Sequence, residues 1–483
     1  MVKVIGKREP IYIERKELRA FSTLKPMRLY SPEQPPMDLP PIKGIREFGG
    51  PYDFLTDDLR LKRAFDRIEV WGFYPKEYKE IKDALEILLS EYLEKSYYGE
   101  GEGDEDFYGF KEEFKVDFIT HDVLEYERGK LKDSINAYNL YPELEKAMEN
   151  KSRVVVVVGG PTHKSVKVNR EYYLEAKRVF LNELDISCQF ASYYAMAEGR
   201  GILYKVLRRE RGAKEKGLGD AIWNFALDMY GKVGGIAWAV LQRISDSKVI
   251  DLTIGFRFAR IMERRGYCVG CVTIIDRFGR LVGAIPHPPF RGEIRTEGMR
   301  IPKNVMETLT SMAIERVKSD KRLSGLLDVD RKINIVVHRT NGFFDEEIEG
   351  IEAAIASTID EYNLGLVALT VRPPLWSYNT KVSGVMEGRG YQINKNTALL
   401  YTIRGVDRFV YPIGVTIYKR GPFSSIEEVC SHILALAALH WQTVIPNVKM
   451  PASVEFAGKI ARFYARGIRP REGSWLWQTL WFI

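Results

Sequence analysis

Apolar residues recur along the chain in two alternating rhythms. Arg67-Ile-Glu-Val-Trp-Gly-Phe73 reads as a strand, and Lys76 to Lys95 shows the three-to-four-residue recurrence of an amphipathic helix. Val154 to Val158 is an unbroken β-branched run, the mark of a parallel strand covered on both faces, and a helix is predicted from about Arg170 to Asn182. From about residue 44 to 242 this alternation predicts a doubly wound α/β unit. A second pattern starts near Asp246. Strands are predicted over Val249–Phe258, Gly266–Asp276 and Arg280–Ala284, with Arg277-Phe-Gly-Arg280 as a hairpin turn. A helix over Lys303–Val317, a strand over Lys332–His338, a helix over Asp345–Glu361 and strands over Leu366–Arg372 and Ala398–Thr402 follow. Ser424-Ser425-Ile-Glu427-Glu428 is a capping-box signature opening a helix to about His440. Three antiparallel strands followed by alternating α and β elements is the order of a ribonuclease-H-like domain. The fold class expected is therefore α/β, a Rossmann-like domain followed by a ribonuclease-H-like one. The expected organisation is a proline-rich arm over 1–45, a first domain over 46–245 and a second over 246–483.

Composition narrows the class. The chain has 483 residues, 45% hydrophobic and 28% charged, which is globular composition. No aliphatic run, Val154 to Val158 included, approaches the ~20 residues of a spanning helix. No signal-peptide pattern is visible, so a cytoplasmic protein without membrane insertion is expected. Four cysteines exclude a disulfide scaffold. The formal charge of +7 is uneven: Lys76 to Lys115 holds 13 acids and 6 bases, including the acidic loop Gly99–Asp106. The rest of the chain therefore carries +14, the asymmetry that a polyanion-binding face needs.

Several motifs lead nowhere. Cys268-Val-Gly-Cys271 lies on a predicted strand, where positions three apart face opposite sides, so the two thiols cannot share a metal. Gly159-Gly-Pro-Thr-His163-Lys-Ser165 follows a buried strand as a phosphate loop would. However, His163 stands where the pattern requires glycine. Tyr173 and Lys177 are more informative, because four residues apart on a helix they share a face. A phenol and an ammonium converging there can bind a terminal phosphate, and Gln189 can add an amide donor. Lys232 sits in Gly231-Lys-Val-Gly-Gly235 at a helix end. Three of the eight tryptophans crowd the last nine positions, so the tail is expected to be buried and to carry its carboxylate inward.

Together these pieces resemble the short prokaryotic (archaeal and bacterial) Argonaute or Piwi proteins, which keep only MID and PIWI modules. Leu39 to Tyr52 is similar to the MID opening segment. Glu171–Lys177, Gln189-Phe190 and Gly231–Trp238 resemble the pocket for a guide strand's 5′ phosphate. Val337-His-Arg-Thr-Asn-Gly342 is similar to the family's His-Arg-Asp-Gly strand end. His440-Trp441 with Lys449–Ala457 resembles its closing helix and strand. The resemblance implies that Tyr173, Lys177, Gln189 and Lys232 bind the phosphate. Ile483, through its carboxylate, and Asp228 would hold a divalent cation, Mg²⁺ or Mn²⁺.

The departures imply a catalytically inactive protein. Slicing members use a carboxylate tetrad to hold two metals, but Arg257, Thr340 and Gly458 stand at three of those positions. The resemblance then implies a guide-dependent nucleic-acid-binding protein of prokaryotic defence. It would take a 5′-phosphorylated guide, RNA rather than DNA, pair it with target DNA, and signal to an accessory effector protein. Arg257, Arg260, Arg264, Arg291, Arg339 and Arg462 are expected to line the channel. Two other readings compete: an active nuclease using Asp251, Asp276 and Asp345, and a scaffold for partner proteins.

Overall fold

The computed structural model describes residues 2–5, 10–13, 19–23, 28–29, 53–54, 61–62, 65–94, 110–114, 116–149, 153–194, 201–213, 217–245, 248–295, 298–320, 323, 326, 331–371, 373, 375–377, 387–403, 411–440 and 450–483. The segment Leu39–Tyr52, the acidic loop Gly99–Asp106 and Trp441 lie outside them.

The first α/β unit is built on a four-stranded, wholly parallel sheet. Its spatial order is Ser187–Ala191, Arg153–Gly159, Arg67–Pro75, Asp117–Tyr126. The valine run explains itself here. Val155 and Val157 enter one apolar cluster while Val154, Val156 and Val158 enter another, so both faces of that strand are covered. The helix predicted from Arg170 begins earlier and spans Val166–Lys177, continuing as a wider turn over Arg178–Leu184.

The second unit is a nine-stranded sheet. The meander Leu281–Arg291, Tyr267–Asp276, Leu252–Arg260 comes first. Ile333–Thr340 and Tyr362–Thr370 then add in parallel, and Ile413–Lys419 adds antiparallel. This is the ribonuclease-H-like order. Beyond it lie Thr397–Leu400, Arg389–Asn394 and, at the far edge, Arg19–Ser22, so the N-terminal segment supplies an edge strand to the second sheet. Helices Lys303–Ser319 and Asp345–Ala356 cover one face. Ile426–Ala437 and Ala452–Tyr464 cover the other. Ser425 caps its helix as expected, its side chain accepting from the Glu428 amide at 3.3 Å.

Two readings are corrected. Residues 452–457, compared above with a closing strand, are helical, because Ala452, Phe456, Ile460 and Phe463 recur at helical spacing on a buried face. Arg339 is not a channel residue. It is buried against Glu347 at 2.8 Å and donates to the carbonyls of Gly342 and Met299.

Cys268 and Cys271 fall in different apolar clusters on opposite faces of their strand, as their spacing demands. One cluster is common to both units. Val155, Trp223, Cys271, Phe456 and Trp481 belong to it, so the sheets share a core and the C-terminal tail lies within it.

Candidate functional site: a lysine pocket beneath the C-terminal tail

The tail is held by apolar contact and by backbone. Trp481 and Phe482 are buried, and the Leu480 amide donates to the Gly231 carbonyl at 3.1 Å. A β-carbon on Gly231 would lie 3.2 Å from Leu480 and 3.6 Å from Ile483, so glycine allows the tail to approach the helix Leu218–Lys232 this closely.

Lys177 closes the arrangement from the other side. Its Nζ donates to the carbonyl of Cys188 at 2.7 Å and to that of Trp481 at 3.0 Å, joining helix, sheet edge and tail at one buried ammonium. Lys232 Nζ donates to Gln189 Oε1, and Gln189 in turn hydrogen-bonds Asp228. Tyr173 packs edge-on against Phe190, with Lys177 Nζ 5.8 Å from its ring centre. The structure thus brings Tyr173, Lys177, Gln189, Lys232 and Asp228 together, with the C-terminal residues packed over them. Gln189 links Lys232 to Asp228 and so differs from the free amide donor expected.

The electrostatics follow from burial. Lys177 is pushed down to about 8 by desolvation, against the attraction of Asp228. Lys232 is pushed down to about 7, first by desolvation and then by the field of Lys177. Burial raises Asp228 and lowers Lys459, and the two lie close enough to influence one another. Tyr173 is raised by burial and keeps its proton. Lys177, Lys232 and Lys459 thus gather around Asp228, with Glu455 also acting on Lys459, and the two fully buried lysines are the groups an anion would neutralise.

An ammonium has three N–H donors. Lys177 spends two on carbonyls and Lys232 one on Gln189, so three N–H bonds of these two side chains remain for a ligand. Asp228 Oδ1 is buried without a hydrogen-bond partner, which suits a cation or a proton. Among the described residues no three His, Cys, Asp or Glu side chains group as a ready-made metal site.

Lys459 and Arg466 belong to this region, although sequence reasoning gave them no role. Glu455, Lys459, Arg462 and Arg466 follow one another at spacings of four, three and four, one stripe along and just past the helix Ala452–Tyr464. That periodicity was the available signal. The stripe leads to Arg257, whose Nη1 lies 3.7 Å from Glu455 Oε2, while Arg462 Nη2 lies 3.8 Å from Glu455 Oε1.

Arg257 and Gly458 are direct neighbours: a β-carbon on Gly458 would stand 2.7 Å from Arg257 Cδ. Phe256 pairs with Arg339, which places Thr340 at the same sheet end. The three positions compared with a catalytic tetrad therefore gather at the carboxyl ends of two parallel strands. The competing carboxylates are used elsewhere. Asp251 accepts from both Arg331 Nη atoms at 2.7 and 2.8 Å. Asp276 pairs with Arg280 at 3.0 Å and caps the Phe278 and Arg280 amides, and Asp345 is exposed at a helix start. Arg260, Arg264, Arg291 and Arg462 are exposed. His163 accepts from the Ser165 amide at 3.0 Å and so closes the loop after Gly159 on itself.

No family model matches the chain. Residues of this protein are 27% identical to the Argonaute protein of Aquifex aeolicus (strain VF5) over 269 positions, 55% of this chain and 34% of that one. In structure the chain is similar to the Aquifex Argonaute crystallised with externally bound siRNA (TM-score 0.57, 17% identity), covering 96% of this chain and 56% of that one. It is also similar to Clostridium butyricum Argonaute bound to a guide DNA and a 19-mer target DNA (TM-score 0.63, 16% identity), covering 94% and 54%. The chain thus spans about a third of its curated relative and just over half of these solved structures. No helix among the described residues is long and apolar enough to cross a membrane. In sequence over part of its length, and in fold over nearly all of it, the chain is therefore similar to Argonaute proteins.

Proposed function

We propose that this protein binds a guide strand by its 5′ phosphate and pairs it with a target without cutting it. The observation that carries the reading is the pair of buried lysines. Two ammonium groups held out of water beside Asp228, with N–H bonds to spare, form a site that becomes favourable when a phosphate dianion enters. Tyr173 adds a phenolic hydroxyl, and the carbonyl contacts of Lys177 fix the distance between guide end and tail. Asp228 and Ile483 are the groups that would hold a divalent cation, which would neutralise charge between carboxylate and phosphate. On this reading residues 46–245 serve as the guide-end module and 246–483 as the duplex-binding module.

The stripe Lys459, Arg462, Arg466 offers cations along the way from the pocket to Arg257. Contacts to phosphates hold the strand without reading it, so sequence is read by base pairing. At the strand ends, Arg257 puts a cation where two-metal cleavage needs a carboxylate, and Gly458 leaves room for it. The guide is RNA and the target DNA, and occupancy is signalled to an accessory effector in defence of a prokaryotic cytoplasm. These finer assignments rest on the family resemblance. The test is to purify the protein from its host and sequence what is bound. Short 5′-phosphorylated strands support the proposal; their absence, or guide-matched cleavage of a target with Mg²⁺ or Mn²⁺, overturns it.

A further inference from the structure

A second concentration of positive charge lies at the other end of the same sheet, unrelated to the guide pocket. Asp251 precedes the strand Leu252–Arg260, Lys332 precedes Ile333–Thr340, and Asn363 lies at the start of Tyr362–Thr370. These are the amino ends of three parallel strands, about 20 Å along the strand from Arg257. A cleft of about 520 Å³ opens there, lined by Lys248, Arg277, Arg331 and Lys332 with Asp251 as the one acid among the described lining residues.

Asp251 organises the cleft. Its side chain is buried, its two oxygens accept from both Arg331 Nη atoms and from the Asn334 amide at 3.0 Å, and Arg277 Nη2 forms an ion pair with Oδ1 at 3.2 Å. With three hydrogen bonds and one further ion pair the carboxylate acts as an anchor for two guanidinium groups. Each guanidinium has five N–H bonds in a rigid fork, so both keep donors beyond those given to Asp251. Their side chains are 45% and 35% exposed, so those donors reach solvent. Lys248 is fixed by Ser424 Oγ at 2.9 Å, and Lys332 is exposed. Asn363 donates to Asn334 Oδ1 at 3.0 Å, which adds amide groups at the rim.

We propose that this cleft binds a small polyphosphate anion, a nucleoside di- or triphosphate or inorganic pyrophosphate. Two preoriented guanidinium forks suit phosphate oxygens bidentately, and four cations against one acid leave an excess of three positive charges among the described lining residues. A single phosphate would not fill the volume, which lies in the range of nucleotide-sized ligands. The site does not depend on guide binding, because none of its residues touches the lysine pocket.

The test is calorimetric titration of the full chain with pyrophosphate, with ATP and with a 5′-hydroxyl oligonucleotide. It is repeated on Lys232→Met and on the double variant Arg277→Gln, Lys332→Gln, which keeps the Asp251–Arg331 pair and hence the fold. Saturable binding of pyrophosphate or ATP, weakened at least about tenfold in the double variant and unchanged in Lys232→Met, is expected. Tighter binding of ATP identifies a nucleotide as the ligand; equal affinities identify the phosphate chain alone. The proposal is overturned if neither anion binds at millimolar concentration. It also falls if the double variant binds both as well as the parent, or if only the oligonucleotide responds to the double variant.

Discussion

Replacing Lys232 by methionine separates the response of a 5′-phosphorylated guide from that of a 5′-hydroxyl guide. The ammonium is buried, is pushed down to about 7, and makes a hydrogen bond to Gln189. Methionine fills similar space without a charge but leaves Gln189 Oε1 without its donor and Asp228 without its main cation, so the unliganded protein is expected to lose about 1–3 kcal/mol of stability. A hydrogen bond to a charged group contributes about 1.5–3 kcal/mol. At 1.4 kcal/mol per decade, loss of the Lys232 contact should weaken a 5′-phosphorylated guide about 10- to 150-fold. A 5′-hydroxyl guide should respond little. The same lysines set a pH dependence. An entering phosphate raises their pKa values from about 8 and about 7, so binding takes up protons and affinity falls as pH rises. Each lysine that must be reprotonated contributes up to one decade of affinity per pH unit above its free value, whereas an ordinary surface lysine would act only near pH ~10. The assay is fluorescence anisotropy with 3′-labelled guides carrying either 5′ end, between pH 6.5 and 9.5. Equal losses for both guides in Lys232→Met, or a flat profile from pH 7 to 9, would refute the reasoning.

Stability itself should depend on pH in the same window. Lys177 and Lys232 bind protons more weakly when folded than unfolded, so the guide-free protein should gain stability from about pH 7 to about pH 10 and lose it on acidification, as followed by denaturant midpoints. Arg339→Met strands Glu347 in the core and should cost about 3–5 kcal/mol in denaturant unfolding; a loss below about 1 kcal/mol would show that the pair is not buried in solution. Trp481→Ala empties a fully buried site beside Lys177, with an expected loss of about 3–5 kcal/mol and of discrimination between 5′-phosphate and 5′-hydroxyl guides. Gly255→Ala drives a β-carbon into the Ser453 carbonyl and should destabilise by about 1–3 kcal/mol or more, whereas a neutral melting temperature would mean that helix and sheet can separate there.

Much of this arrangement is legible in the residues alone, for local reasons. The valine run, the meander and the Ser425 cap are set by patterns whose physics lies within a few neighbours. Tyr173 and Lys177 fall on one face by helical geometry, and Cys268 and Cys271 on opposite faces by strand geometry. Arg339 misled because an arginine in sequence looks like surface charge; only Glu347, arriving from the next helix, allows it to be buried. Lys459 and Arg466 show a periodic stripe, but nothing local says that the stripe passes Asp228 and Tyr173.

The sequence by itself determined most of the elements, their order and the residue types that can meet a phosphate, but not that 452–457 is helical or that Arg19–Ser22 is an edge strand. Side-chain periodicity and charge are properties of short windows of chain. Tertiary structure alone decided which charges share a desolvated space. It brought the Trp481 carbonyl to a lysine 304 positions away, put Arg257 against Gly458, and gave Asp251 two arginines to hold. The reason is dielectric: a charge in water interacts weakly with everything, and only burial among specific neighbours gives lysine and carboxylate the strong mutual dependence from which a binding site is made.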